Sequence, residues 1–189
     1  HEIPYIVTRQ SDKYTRNKVL DLNSLPFPAW DTIQLDKYAG STPHFTRQEL
    51  PIITSRGCPF NCVFCAKNHG NIRRSRTDDS IIAEINHNIA KYNCESVFFL
   101  DETFVISLSR STRLLNRFIK EGISEKIKWG CEVRVDIGTP DFFKLMKKAG
   151  CYYIFFGLES GDDDILKIAK KKITVQQSKI AVDAVKDVG

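Results

Sequence analysis

From Pro51 onward the chain alternates short apolar runs with stretches whose apolar residues recur at helical spacing, and this alternation predicts strands and helices in turn. Ile52-Ile53-Thr54 is a brief β-branched run. Ile82, Ile85 and Ile89 follow at i, i+3 and i+7, predicting a helix from about Asp79 to Tyr92 with acidic residues at its start. Ser96–Asp101, Ile127–Arg134 and Cys151–Gly157 read as three further buried strands. Leu114, Leu115, Phe118 and Ile119 mark a second helix that closes near Gly122. Thr139 and Pro140 open a third, which Gly150 ends. Asp162–Asp164 begin and Lys170–Lys172 close a short helix with the polarity its dipole favours. Thr174 and Gln177 form a capping box for a last helix, with Ala181, Ala184, Val185 and Val188 on its buried face.

Four βα units with apolar strands predict an α/β fold: a parallel sheet in chain order, covered by helices. The last strand, Cys151–Leu158, would then be an unpaired apolar edge that something must cover. The first fifty residues differ. They carry four of the seven prolines and no sustained period. Pro26 and Pro28 disfavour helix before them, so Asp21–Asp31 is expected to run as an extended strap pinned by Leu22, Leu25, Phe27 and Trp30. Residues 1–50 are thus expected to be a lead-in and residues 51–189 a folded domain.

Composition narrows the class. The 189 residues have the apolar and charged fractions of a globular domain, with no apolar stretch near the roughly 18–20 residues that span a bilayer. The start, His-Glu-Ile-Pro-Tyr, has neither the basic nor the apolar region of a signal peptide. A cytoplasmic protein is expected. The net charge of +5 is mild and reads as a solvated surface, which argues against nucleic acid as a partner.

Six cysteines in such a chain point to metal rather than disulfides. Cys94, Cys131 and Cys151 are scattered at strand edges and read as small buried hydrophobes. The other three are Cys58-Pro-Phe-Asn-Cys62-Val-Phe-Cys65, a C-x₃-C-x₂-C run directly after the first strand. Three thiolates on one loop can hold three irons of a four-iron cubane, leaving the fourth open for a ligand. A structural zinc site is the alternative.

Functional groups of (β/α) barrels collect at the carboxyl ends of the strands. Those ends carry the Cys loop, Asp101-Glu102, Arg134 with Asp136, and Glu159-Ser160. The Arg73-Arg-Ser-Arg76 stretch reads as a basic loop leading into a helix, with an anion site as its other reading.

The cysteine spacing, with aromatic Phe64 before the last thiol, resembles the radical S-adenosylmethionine (SAM) superfamily. The resemblance implies a partial (β/α) barrel with about four of six βα units. It implies a [4Fe-4S] cluster on Cys58, Cys62 and Cys65, with SAM chelating the open iron. Glu102 would accept from the SAM α-amino group, with Asp101 as rival because Asp101-Glu102-Thr103-Phe104 departs from the usual glycine-glycine-glutamate form. Glu159 and Ser160 would meet the ribose or methionyl part, and Phe64 would pack near adenine. Arg134 would pair with the SAM carboxylate or form a structural ion pair.

The lead-in Leu-Pro-Phe-Pro-Ala-Trp-Asp is similar to the linker after a cobalamin-binding domain in enzymes like the anaerobic magnesium-protoporphyrin monomethyl ester cyclase and cobalamin-dependent methyltransferases. Cobalamin would belong to a longer parent protein, since no Asp-x-His-x-x-Gly stretch occurs here. Implied partners are a small-molecule substrate, such as a tetrapyrrole, and an electron donor such as ferredoxin or flavodoxin. The isolated stretch is expected to be inactive. Two other readings are a methylthiotransferase-like enzyme acting on RNA or protein, and a non-catalytic iron–sulfur or zinc module.

Overall fold

The computed structural model describes residues 21–38 and 48–189. Its centre is one parallel sheet of β1 (Glu49–Ile52), β4 (Ser96–Phe99), β5 (Lys128–Val133) and β6 (Cys151–Phe156), in that order. A two-residue antiparallel pair, β2 (Ser55–Arg56) and β3 (Arg74–Ser75), closes the base of the cysteine loop. The helices are α1 (Asp78–Tyr92), α2 (Leu108–Lys120), α3 (Ile123–Lys126), α4 (Pro140–Lys148), α5 (Asp163–Ile168) and α6 (Val175–Val188). Among the described residues, no helix is long and apolar enough to cross a membrane.

Strand alternation sends one row of side chains to each face of the sheet. Leu50, Val97, Trp129 and Cys151 pair across the sheet and are buried, as are Ile52, Phe99 and Cys131 two positions on. They form the core together with Ile81, Ile85, Leu114, Phe118 and Met146 of the helices. Phe99 stacks on Phe104 at 4.8 Å and meets Trp129 edge-on at 5.5 Å, while the Trp129 indole N–H donates to the Ala149 carbonyl at 2.8 Å. The intervening residues face the lumen. There Phe98 and Tyr153 lean over Gly130, where a Cβ would come within 3.1 Å of the Phe98 ring.

The helix ends follow the sequence signals. Thr77, Ser107 and Thr139 cap α1, α2 and α4, and the Thr174–Gln177 capping box is formed in both directions. The thiols of Cys94, Cys131 and Cys151 are buried and unbridged. Burial pushes Cys94 up to about 11.

Three expectations are corrected. The first strand ends at Ile52, because Thr54 leaves it to bind Asp101 through both its N–H and its hydroxyl. The helix expected to reach Lys172 stops at Ile168, since Lys170 and Lys172 adopt left-handed backbone with φ of 51° and 57°. The strap is not simply extended: short 3₁₀ turns at Leu22–Ser24, Trp30–Thr32 and Leu35–Tyr38 interrupt it. Leu22 is buried, with Leu25, Phe27 and Trp30 half-buried. Asn23 accepts from the Thr77 N–H and hydroxyl, and Asp31 accepts from Lys91 and Tyr92, so both ends of the strap are fastened to α1. Residues 1–20 and 39–47 of the expected lead-in lie outside the described residues.

Among the described residues, β1 and β6 are the two edges of the sheet. Phe155 of β6 is 52% exposed on the lumen side.

Candidate cofactor site

The cysteine loop leaves the sheet at Gly57, whose φ of +92° and a Cβ path blocked by the Ile72 carbonyl at 2.2 Å leave room only for glycine. The Cys58 N–H then donates to the Gly70 carbonyl at 3.1 Å, and the Val63 N–H to the Ala169 carbonyl at 3.0 Å, just past α5. The loop is therefore held at its base and at its tip.

Cys58, Cys62 and Cys65 line one cavity of about 190 Å³ at the carboxyl ends of the strands. Glu102, Glu132, Arg134, Glu159 and Lys171 share its wall with Phe60, Phe64 and Phe155. No three His, Cys, Asp or Glu side chains among the described residues are gathered as ligands of a single ion. The thiolates of a cubane each bind a separate iron and need not converge on one point as zinc ligands do.

The candidate residues part company in the structure. Asp101 is buried, and its carboxylate accepts from the N–H and hydroxyl of both Thr54 and Ser55 at 2.5–3.1 Å. Burial pushes the Asp101 carboxyl up from its ordinary value, while those hydrogen bonds and Arg73 at 3.8 Å pull it down. Asp101 knits the end of β1 to the end of β4 and does not line the cavity. Glu102 does line it, accepting from the Gly57 N–H at 3.0 Å and lying 2.7 Å from His69 Nδ1.

Arg134 lines the cavity with its fork already committed: Nε and Nη2 grip Asp136 at 3.0 and 2.9 Å, and Nη2 also reaches the Lys171 carbonyl. Its guanidinium lies 3.7 Å from the centre of the Phe60 ring, so it supports the cysteine loop from below. Glu159, in left-handed backbone at φ 61°, takes the Lys171 ammonium at 2.7 Å. Gly157 leaves space for that pair, since a Cβ there would come within 2.7 Å of the Lys171 nitrogen. Ser160 turns away and accepts from the Asp162 N–H at 3.1 Å. Phe64 is 55% exposed at the cavity rim, with Lys171 Nζ 5.8 Å from its ring centre.

The Arg-rich stretch is occupied with structure. Arg73 donates to the Thr103 and Phe104 carbonyls, Arg74 to His69 and Ile72, and Arg76 pairs with Glu84.

The cavity residues Phe60, Glu132 and Lys171 were not singled out from the sequence, nor was His69, which reaches the cavity only through its contact with Glu102. Lys171 looked like one of three helix-closing lysines, and only the left-handed residues on either side turn it inward.

Fold and loop together define a partial (β/α) barrel carrying three thiols over a charged cavity at its strand tips. The radical SAM superfamily model matches residues 52–189, and the chain belongs to that family. Its cofactors as a member of that family are a [4Fe-4S] cluster and SAM.

An uncharacterized methyltransferase of Pyrococcus horikoshii is 34% identical over 173 residues, covering 90% of this chain and 36% of the relative. The anaerobic magnesium-protoporphyrin IX monomethyl ester cyclase of Cereibacter sphaeroides is 28% identical over 167 residues, covering 87% of this chain and 27% of the cyclase. In fold, the cobalamin-dependent SAM radical enzyme OxsB superposes with a TM-score of 0.74 at 23% identity, over 92% of this chain and 26% of that one. The chain spans about a third of the length of the curated relatives it matches.

Proposed function

We propose that this chain is the SAM-cleaving part of a larger cytoplasmic radical enzyme that methylates or oxidatively cyclises a small molecule. The carrying observation is that three thiols and Glu102 meet at one cavity on the strand tips. The chemistry supplied when cluster and SAM are bound is one-electron reductive cleavage of the sulfonium, giving methionine and a 5′-deoxyadenosyl radical.

Cys58, Cys62 and Cys65 would hold the cluster, and Glu102 would accept from the SAM α-amino group. Its rival Asp101 is spent on Thr54 and Ser55. Glu159, held by Lys171, lines the cavity and would meet the ribose or methionyl part of SAM, whereas the Ser160 hydroxyl is engaged with its own turn. Phe64 at the rim offers an adenine its ring face. Phe155, about half exposed, adds an apolar patch to the same cavity wall.

A small reduced electron carrier, ferredoxin or flavodoxin, would deliver the electron. The named relatives favour methyl transfer or cyclisation, their length favours a longer parent, and the lead-in around Leu25–Asp31 favours a cobalamin-binding domain upstream of it. A tetrapyrrole is the substrate that the cyclase relative suggests.

Anaerobic reconstitution should give a brown protein with about four irons per chain. Under reduction, the full-length parent should release 5′-deoxyadenosine from SAM. Replacing Cys58, Cys62 or Cys65 with Ala should remove iron and cleavage together, while the same change at Cys94, Cys131 or Cys151 leaves the iron in place. One colourless zinc per chain, or equal iron loss across all six variants, would sink the proposal.

A further inference from the structure

Glu102 does two things at once in this structure. Its Oε2 accepts from the Gly57 N–H at 3.0 Å, and its Oε1 lies 2.7 Å from His69 Nδ1. A carboxylate only accepts, so Nδ1 carries the proton in this pair. Gly57 directly precedes Cys58 and His69 lies shortly after Cys65, so one carboxylate joins both flanks of the three-thiol loop to the tip of β4.

Each partner is itself fixed. The Gly57 N–H is aimed by a backbone that no other residue can adopt there, with the Ile72 carbonyl 2.2 Å from any Cβ. The His69 backbone is held from β3, where Arg74 Nη2 donates to its carbonyl at 2.8 Å.

We infer that His69 is a positioning residue for SAM: through its hydrogen bond it presets the Glu102 carboxylate that receives the ligand's α-amino group. The inference rests on the reading of Glu102 given above. A carboxylate offers about four lone-pair directions, and His69 and Gly57 use two of them. Two remain, so Glu102 can keep hold of the loop while accepting from an ammonium. Without His69 the carboxylate keeps only the Gly57 contact and can swing about it, so the ligand would have to order it on binding. A structural role for His69 alone would instead show itself as loss of the cluster loop.

The test compares the reconstituted full-length protein with its His69→Ala and His69→Asn variants, with SAM as the probe. Three quantities are read: iron per chain, SAM dissociation constant, and the change that SAM induces in the spin-resonance spectrum of the reduced cluster. His69→Ala should keep wild-type iron and bind SAM about ten-fold more weakly, the scale of one hydrogen bond to a charged group. An Asn amide places an N–H near the position of Nδ1, so His69→Asn should recover most of the affinity and the spectral change.

Wild-type affinity in His69→Ala overturns the inference. So does iron loss in that variant, which makes His69 a loop support, and so does an Asn variant no better than Ala. A wild-type protein that takes up iron yet binds no SAM removes the reading of Glu102 itself, and this inference with it. Intact wild-type binding with an unaffected His69→Ala removes the role of His69 alone.

Discussion

Asp101 and Glu102 are neighbours with opposite duties, and their difference sets the sharpest residue-scale prediction. Asp101 is fully occupied by four donors from Thr54 and Ser55, whereas Glu102 faces the cavity. Asp101→Asn turns an amide N–H toward groups that already donate. It should lower stability by about 3 kcal/mol in urea denaturation, the scale of losing one or two hydrogen bonds to a charged acceptor. Glu102→Ala should cost less stability than Asp101→Asn, since it loses two contacts where Asp101 holds four, and weaken SAM binding about ten- to a hundred-fold. An unchanged SAM affinity in Glu102→Ala, together with a loss in Asp101→Ala, would hand the ligand role to Asp101.

The cysteines divide in the same way. Cys65 is exposed, while Cys94 is buried with its thiol pushed up to about 11. Thiolate is the reactive form, so a thiol alkylator applied to the cluster-free native chain should modify Cys65 well before Cys94, Cys131 or Cys151. Mass spectrometry of the peptides checks the order. That the three thiols of the cysteine run share one site was legible in their spacing. Which of two adjacent acids faces inward was not, because it depends on where the chain turns after β1, and that turn is made by the Thr54 and Ser55 contacts themselves.

At the scale of elements, local signals carried well where they were self-contained. The helix over Asp78–Tyr92, the Thr139–Pro140 start and the Thr174–Gln177 box follow from side chains acting on their own turn. They failed where a distant partner decides. Lys170–Lys172 look like the end of a helix, yet the left-handed residues around Lys171 drive it to Glu159. The Arg-rich stretch gave no hint that its side chains were committed to the backbone and to Glu84.

β5 offers a further test, since Glu132 alternates with core residues onto the lumen face. Burial pushes its carboxyl above the ordinary value, with Lys171 opposing and Glu159 adding to the shift. The folded state holds that proton more tightly than the unfolded chain does. Stability from this group is therefore full below the ordinary value of 4.5 and falls as pH rises through the folded one. Glu132→Gln should unfold at higher urea than the parent at about pH 7, with the gap closing toward about pH 4. A parent that outlasts Glu132→Gln at about pH 7, with its advantage lost on acidification, would mean that Lys171 outweighs burial.

For the whole molecule, the parallel sheet in chain order means that each strand adds one wall of the cavity in turn: Cys58–Cys65, then Glu102, then Glu132 and Arg134, then Glu159 and Lys171. The tip of the cysteine loop is fastened by Val63 to Ala169, more than a hundred positions later. That link has a consequence for synthesis. The three thiols leave the ribosome well before Ala169, so the contact that holds the tip of their loop arrives only when the chain past α5 has emerged. Cluster insertion into a finished seat must then wait on translation, and an emerging chain would present loose thiols that any available metal can take. Nested truncations reconstituted anaerobically should show it: chains ending before Ala169 lose iron quickly to a chelator, and those extending beyond Lys171 keep it. Equal iron retention on both sides of that boundary would mean that the loop closes around its cluster unaided, and that birth order leaves no mark on how this site is filled.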